Sequence, residues 1–144
     1  MLVSQMLKSK PEVGVISVKP TATVTDAAKL LSKHRIGTVV VSADGETLDG
    51  ILSERDIVRE LGKRGMGCLN DPVRDLMTAK LTTCGPSNNA LEVLEIMTAG
   101  RFRHLPVMDN GKMVGLISIG DAVKGRLAQL AMEKESLEGM IMGH

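Results

Sequence analysis

Aromatic residues are nearly missing from this chain of 144 residues: it has no tryptophan, no tyrosine and one phenylalanine, Phe102. Proteins that hold single-stranded nucleic acid rely on rings as stacking platforms, so that class is excluded. An excess of one charge is missing too. Lysine plus arginine number 18 against 17 acidic residues, a formal net charge of +1, which gives little attraction for a phosphate backbone. Cysteine is scarce. Cys68 and Cys84 lack the paired spacing of a zinc site and read as free thiols of a reducing compartment. No apolar run approaches the ~18 residues of a membrane span. The opening MLVSQMLKSKP is interrupted by Ser4, Gln5 and Lys8 and carries no signal-peptide core. The expectation is a cytoplasmic protein with neither a membrane nor a nucleic-acid partner. What the chain does have is aliphatic: 43% of residues are hydrophobic and 24% charged. A chain of ~150 residues can bury about 70% of its unfolded surface, enough for a shared core.

The sequence is written twice. At an offset of 66, Pro20 matches Pro86, Arg35 matches Arg101, Val41 matches Val107 and Gly45 matches Gly111. One residue is then dropped. At an offset of 65, Gly50 matches Gly115, Ser53 matches Ser118, Asp56 matches Asp121 and Val58 matches Val123. Such self-similarity is the signature of a repeated structural unit.

Each copy starts with a β-prone stretch, Val15-Ile16-Ser17-Val18 or Leu81-Thr82-Thr83-Cys84, ended by a proline. A helix is expected next. Val24, Ala27, Ala28 and Leu31 share one helical face, as do Ala90, Val93, Leu94 and Met97. Thr23 with Asp26 and Asn89 with Glu92 look like capping pairs at the starts. Two strands follow, 38–42 and 48–53 in the first copy, 104–108 and 113–118 in the second. Asp44-Gly45 and Asn110-Gly111 between them are hairpin-turn dipeptides. A second helix closes each copy from Glu54 and from Ile119. Gly62, Gly65 and Gly67 with Asn70-Asp71-Pro72 read as a hinge. The fold expected is α/β (α+β): two β-α-β-β-α repeats, 15–67 and 68–127, about a pseudo-two-fold axis. Their sheets pack together with the helices outside. Residues 1–14 form a lead-in helix or loop and 128–144 a helical extension. The cleft between the halves is the natural ligand site.

The recurrent polar element is Ser-x-x-Asp after the last strand of each copy: Ser53 to Asp56 and Ser118 to Asp121. A serine with an acid three residues on is a capping box, which satisfies free helix N–H groups. The same helix start favours an anion such as phosphate, and an aspartate there can accept hydrogen bonds from both hydroxyls of a ribose. The two readings coexist.

The segments HRIGTVVV, LDGILSERDIV, VRDLMT and RFRHLPVMDNGKMVGLISIGDAV, together with the duplication, resemble a tandem pair of CBS domains, the cystathionine-β-synthase regulatory module. The resemblance covers about residues 13–127, a stand-alone Bateman-type module. It implies binding of an adenosine-containing ligand: AMP, ADP, ATP, NAD(H) or S-adenosylmethionine. No metal is implied beyond nucleotide-associated magnesium. By resemblance Asp56 and Asp121 hold ribose hydroxyls, Ser53 and Ser118 contact phosphate, and the chain near Ile16 and Thr82 flanks adenine. Gly37, Thr38 and Val39 in one repeat and Arg103, His104, Leu105 and Pro106 in the other line the clefts, with Thr78 as a further contact.

The two sites are expected to differ. Arg55 in the first motif corresponds to Gly120 in the second, whereas Arg103 and His104 correspond to Gly37 and Thr38. Arginine suits phosphate through its planar donor fork. Arg101 reads either as such a contact or as a solvated helix end. His34 reads as a helix C-cap, and the terminal His144 as disordered. Pro106 stands where the first repeat has Val40; lacking an N–H, it places its strand at an edge or a bulge. The stretch Lys8 to Gly14 gives the first repeat the longer lead-in. Phe102 matches Ile36 and is expected to pack inward. The last helix, running towards Met142, carries Val123, Leu127, Leu130, Leu137 and Ile141 as an apolar stripe with methionines at 132, 140 and 142. The stripe suits a homodimer contact. No phosphate loop, metal cluster or catalytic triad is legible, and His104 has no nucleophile beside it, so an enzyme is not expected. The leading reading is a sensor that passes nucleotide occupancy to a regulated partner protein. The alternative is a structural dimerisation module with vacant or S-adenosylmethionine-binding clefts.

Overall fold

The computed structural model describes residues 1–10 and 15–141. The elements in order are α1 (Val3–Ser9), β1 (Ser17–Val18), α2 (Val24–His34), β2 (Thr38–Val41), β3 (Gly50–Ser53) and α3 (Glu54–Arg64). Two 3-10 turns follow, Gly65–Asn70 and Val73–Asp75, then α4 (Ala90–Gly100), β4 (His104–Asp109), β5 (Lys112–Ser118) and α5 (Ile119–Ile141). Helices and strands are mixed, with the strands in two small sheets, as the duplication predicts. One is ordered β1-β2-β3, with β1 parallel and β3 antiparallel to β2; the other is the pair β4-β5.

The chain forms two compact units. Of the described residues, one unit holds 15–82 and 110–114, the other 1–10, 83–109 and 115–141. Each has its own aliphatic core. Val18, Val24, Leu31, Val39, Leu52 and Ile57 close the first, and Val3, Met6, Val93, Met97, Leu105 and Ile117 the second. A fully buried side chain of this size contributes roughly 1.5–3 kcal/mol.

The units divide the chain differently from the expected repeat bounds at 67 and 68, because each borrows a short segment from ahead of the other repeat. Ahead of α4, Val3 N–H donates to the Asn88 carbonyl at 2.8 Å, Ser4 N–H to Pro86 at 3.1 Å, and Ala90 N–H to Met1 at 2.9 Å. Ahead of α2, Val73 N–H donates to Ala22 at 2.7 Å, Arg74 N–H to Pro20 at 3.1 Å, and Val24 N–H to Asp71 at 2.9 Å. The two sets match bond for bond. VSQMLKSK at 3–10 and VRDLMTAK at 73–80 are therefore equivalent segments, and the duplication starts earlier than residue 15. The Gly/Asn/Pro stretch expected as a hinge is instead structured. Cys68 and Val73 in its 3-10 turns are fully buried, and their burial anchors it to the first unit.

Capping reads as expected. Thr23 and Asn89 accept from the N–H of Asp26 and Glu92, and the acids return the bond, a device worth about 1 kcal/mol at each helix start. The cap after α2 is Arg35 rather than His34. Arg35 and Arg101 both adopt left-handed backbone, φ 53° and 59°, and terminate α2 and α4 alike. Arg101 thus stands at a solvated helix end. Phe102 departs from expectation: it is exposed, with its ring folded over the backbone of Gly100, where a Cβ would lie 2.1 Å from the ring edge. Glycine at the helix end opens that resting place, so the ring turns outward while Ile36 stays partly buried.

Of the two hairpin dipeptides, Asn110-Gly111 forms the tight turn, with both residues at positive φ. Asp44-Gly45 does not. There β2 and β3 are joined by residues 42–49, organised by the Asp44 carboxylate, which accepts from the N–H of Glu46 and Thr47 and the hydroxyls of Thr47 and Ser42. Thr47 and then Glu46 contribute most to holding that carboxyl at about 2, well below the usual range.

The expected strand at 81–84 shrinks to a single bridge, Cys84 to Val107. Proline chemistry explains it. In the first repeat Val40 N–H donates to the Ile16 carbonyl and Ser42 N–H to Val18. In the second, Met108 N–H donates to Cys84 at 2.8 Å, but Pro106 has no N–H to give the other bond. β4 accordingly lies at an edge, apart from that bridge.

Candidate functional site

Two equivalent sites are built by the same local logic, one in each unit. In the first unit β2 and β3 pair so that Thr38 stands opposite Ser53 and Val39 opposite Leu52. The chain then turns directly into α3. Glu54 N–H donates to the Gly37 carbonyl at 2.8 Å, tying the helix start to the strand entry. Ser53 caps α3, accepting from Asp56 N–H at 3.2 Å, while Asp56 Oδ2 accepts from Ser53 N–H at 2.9 Å and from its hydroxyl at 3.1 Å. The second unit repeats this. Ile119 N–H donates to the Arg103 carbonyl at 2.8 Å, Asp121 N–H to Ser118 Oγ at 3.1 Å, and Ser118 N–H to Asp121 Oδ2 at 2.9 Å.

The Gly37 or Arg103 carbonyl thus takes the first N–H of each helix, and the cap serine takes the third. The second belongs to Arg55 and to Gly120, both exposed, and it has no acceptor among the described residues. An unpaired N–H on an exposed residue at a helix start, beside a carboxylate, provides one anion contact and one hydroxyl contact side by side. Glycine at 120 leaves the backbone bare for close approach, whereas Arg55 adds a charged fork.

The structure brings Gly37, Thr38, Ser53, Arg55 and Asp56 together at the start of α3, and Arg103, His104, Ser118, Gly120 and Asp121 together at the start of α5. The side chains of Val39 and Leu105 are fully buried in the two cores, and Pro106 is buried beside Leu105 in β4, so these residues offer a ligand their backbone. Ile16 lies one strand over from the first site, bonded to Val40. Thr78 reaches it by another route. Its N–H and carbonyl exchange bonds with Ile51 at 2.9 and 3.0 Å, extending β3 outward, and its side chain is exposed. Thr82 is exposed and outside any strand.

Three charged residues at these sites escape a reading by spacing within the motif. Glu54 carries its carboxyl over Gly37, 3.5 Å from where a Cβ would stand. Arg59 donates to Asp56 Oδ1 at 3.3 Å, a pair that the three-residue spacing on a helix could have revealed. Lys10 comes from the far end of the chain: its Nζ donates to Asp121 Oδ2 and to the Leu116 carbonyl, both at 2.9 Å. Burial pushes the Asp121 carboxyl up. Bonds from Ser118 N–H and from the Lys10 ammonium outweigh that and hold it below the usual carboxylate range.

The remaining reactive groups are quiet. Cys68 and Cys84 are buried free thiols, and burial pushes Cys84 up to about 11. Among the described residues no three or more His, Cys, Asp or Glu side chains gather to hold a metal ion, and no helix is long and apolar enough to cross a membrane. The exposed apolar side chains concentrate on α5, where Val123, Leu127, Leu130, Met132 and Leu137 face solvent. The Ile141 side chain, Met142 and His144 lie outside the described residues, as does the 11–14 part of the lead-in.

Comparison with known proteins agrees with this geometry. The CBS domain family model matches residues 7–63 and 73–127, which takes in the whole upstream segment 73–80 and the 7–10 end of its counterpart. A CBS-domain containing protein from Agrobacterium tumefaciens superposes with a TM-score of 0.82 at 39% identity, over 88% of this chain and 99% of that one. A CBS domain protein from Pyrobaculum aerophilum, solved complexed with AMP, gives a TM-score of 0.73 at 27% identity, over 84% of this chain and 89% of that one. The mitochondrial CBS domain-containing protein CBSX3 of Arabidopsis thaliana is 37% identical over 125 residues, which are 84% of this chain and 61% of the relative's length. With the family model matching most of its length in two copies, the chain belongs to the CBS domain family as a tandem pair.

Proposed function

We propose that this protein is a non-catalytic nucleotide-binding regulatory module. It takes an adenosine-containing ligand, AMP, ADP, ATP or NAD(H), at the starts of α3 and α5 and passes occupancy to a protein partner. The observation that carries the reading is the repeated helix start. In each unit a capped helix leaves one N–H unspent, at Arg55 or Gly120, next to an aspartate that a ribose can use. The AMP complex of the Pyrobaculum aerophilum relative supports the choice of ligand class. Ser53 and Ser118 contact phosphate, Asp56 and Asp121 hold ribose hydroxyls, and Arg55, Arg103 and His104 supply further polar contacts. Adenine is gripped by backbone and aliphatic surface near Ile16, Thr78 and Thr82, since the chain's single ring, Phe102, lies on the end of α4.

The exposed stripe on α5 supports a second component: a homodimer contact through that helix, adaptable because it includes methionine. Regulation requires that the ligand bind two states of the module with different affinity. Isothermal titration of nucleotide-freed protein with AMP, ATP, NADH and S-adenosylmethionine tests the reading. Saturable binding of at least one is expected. No heat with any of them contradicts it and leaves the dimerisation module as the surviving function.

A further inference from the structure

The equivalent upstream segments end in equivalent lysines, Lys10 and Lys80, but the two are used differently. In the first unit the segment docks by backbone: Thr78 pairs with Ile51 of β3, and Lys80 is exposed. In the second unit the residue matching Ile51 is Leu116, and its carbonyl is taken by the Lys10 ammonium, which also holds Asp121. Ser118 N–H already occupies the same Oδ2. Two donors saturate the two lone pairs of that oxygen. A ribose diol that engages both carboxylate oxygens must therefore displace one of these donors, and the Lys10 side chain can swing away where the Ser118 backbone N–H, at the end of β5, cannot. At Asp56 both donors to Oδ2 belong to Ser53, and the one outside cation, Arg59, is weakly held at 3.3 Å with a 59% exposed side chain.

We infer that Lys10 is an internal competitor for the ribose position at Asp121, so that nucleotide entering the second site frees the C-terminal end of α1, whereas at the first site it displaces only the Ser53 hydroxyl and the loosely held Arg59. The inference rests on the ribose role of Asp121. It makes α1, whose Val3 and Met6 are buried in the second unit's core, the element that reports occupancy. Lys10 caps α1 through its own N–H to Leu7, so its release is felt directly at the helix end.

AMP titrations of the wild type and of Lys10→Met, Lys80→Met and Asp121→Ala decide the matter. Lys10→Met should tighten the Asp121-dependent step about two- to fivefold, the factor an ion pair of this exposure supports. Lys80→Met should leave it unchanged. In the wild type, mass-spectrometric mapping with an amine-selective reagent should show Lys10 labelled faster once AMP saturates. An unchanged or weaker affinity for Lys10→Met, or protection of Lys10 by AMP, overturns the competitor while leaving the ribose reading intact. AMP binding that ignores Asp121→Ala overturns both.

Discussion

The two repeats share a plan and differ in what docks against their outer strand. In the first unit the upstream segment lies along β3 and pairs through Thr78, whose carbonyl and Met77 sulfur crowd Gly50. In the second the segment forms helix α1 and reaches the equivalent strand with the Lys10 side chain, while Leu7 covers Gly115. A second difference lies on the other side. Val40 N–H donates to the Ile16 carbonyl just ahead of β1, whereas Pro106 has no N–H to give, so the first unit has a strand where the second has one bridge. The units thus differ in what holds each side of the sheet: backbone pairing at Thr78 against the Lys10 side chain on one side, and a strand against a single bridge on the other. The polar helix start between them stays the same.

Substitutions at matching positions of the two repeats sharpen this comparison. The largest effect is expected from Val40→Pro. It removes the donor to the Ile16 carbonyl within a fully buried strand and should destabilise the first unit by about 3 kcal/mol, read by denaturant unfolding. Equal stability to the wild type would show that β1 is not held by that ladder. Next comes Gly50→Ala. Its Cβ would meet the Thr78 carbonyl at 2.8 Å and Met77 Sδ at 2.7 Å, an overpacking that costs about 2 kcal/mol. The matching Gly115→Ala meets only the Leu7 side chain, at 2.5 Å, and the end of that side chain can move, so it should cost less. The reverse order of the two melting temperatures would break the comparison.

The smallest effect is electrostatic. The folded Asp121 carboxyl is held below its ordinary value, so its paired form contributes stability above the unfolded pKa of about 3.9 and loses it as pH falls through the folded value. Lys10→Met should therefore melt slightly below the wild type at pH 7, by less than about 1 kcal/mol. The gap should close as pH falls below about 4 and through the folded value. A gap constant with pH would show that Lys10 acts through packing alone.

Much of this was legible. The capping pairs Thr23–Asp26 and Asn89–Glu92, the Asn110-Gly111 turn, the long α5 and the Ser-x-x-Asp starts are local signals whose partners lie within four residues. The misread features depend on remote segments or on competition between local options. Asp44-Gly45 has turn chemistry, but its carboxylate organises a wider loop. The glycines around 65 suggest a hinge until Cys68 and Val73 are seen buried. Phe102 follows Ile36 in pattern, yet Gly100 gives its ring a place outside. Lys10 meets Asp121 from 111 residues away, which no periodicity announces. The kinship of 3–10 with 73–80 was present as Val3/Val73, Met6/Leu76 and Lys10/Lys80, but so short a match carries weight only once the bonds coincide.

The central claim is that each Ser-x-x-Asp helix start holds a nucleotide through its aspartate. The most direct measurement is AMP titration of nucleotide-freed wild type, Asp56→Ala and Asp121→Ala, with melting temperatures alongside. The account predicts that each variant loses more than about tenfold in affinity at one site, the worth of a hydrogen bond to a charged group. Each should sacrifice only a helix cap, about 1 kcal/mol, in stability. Variants that melt lower yet bind AMP as tightly as the wild type would contradict it and reduce both aspartates to caps.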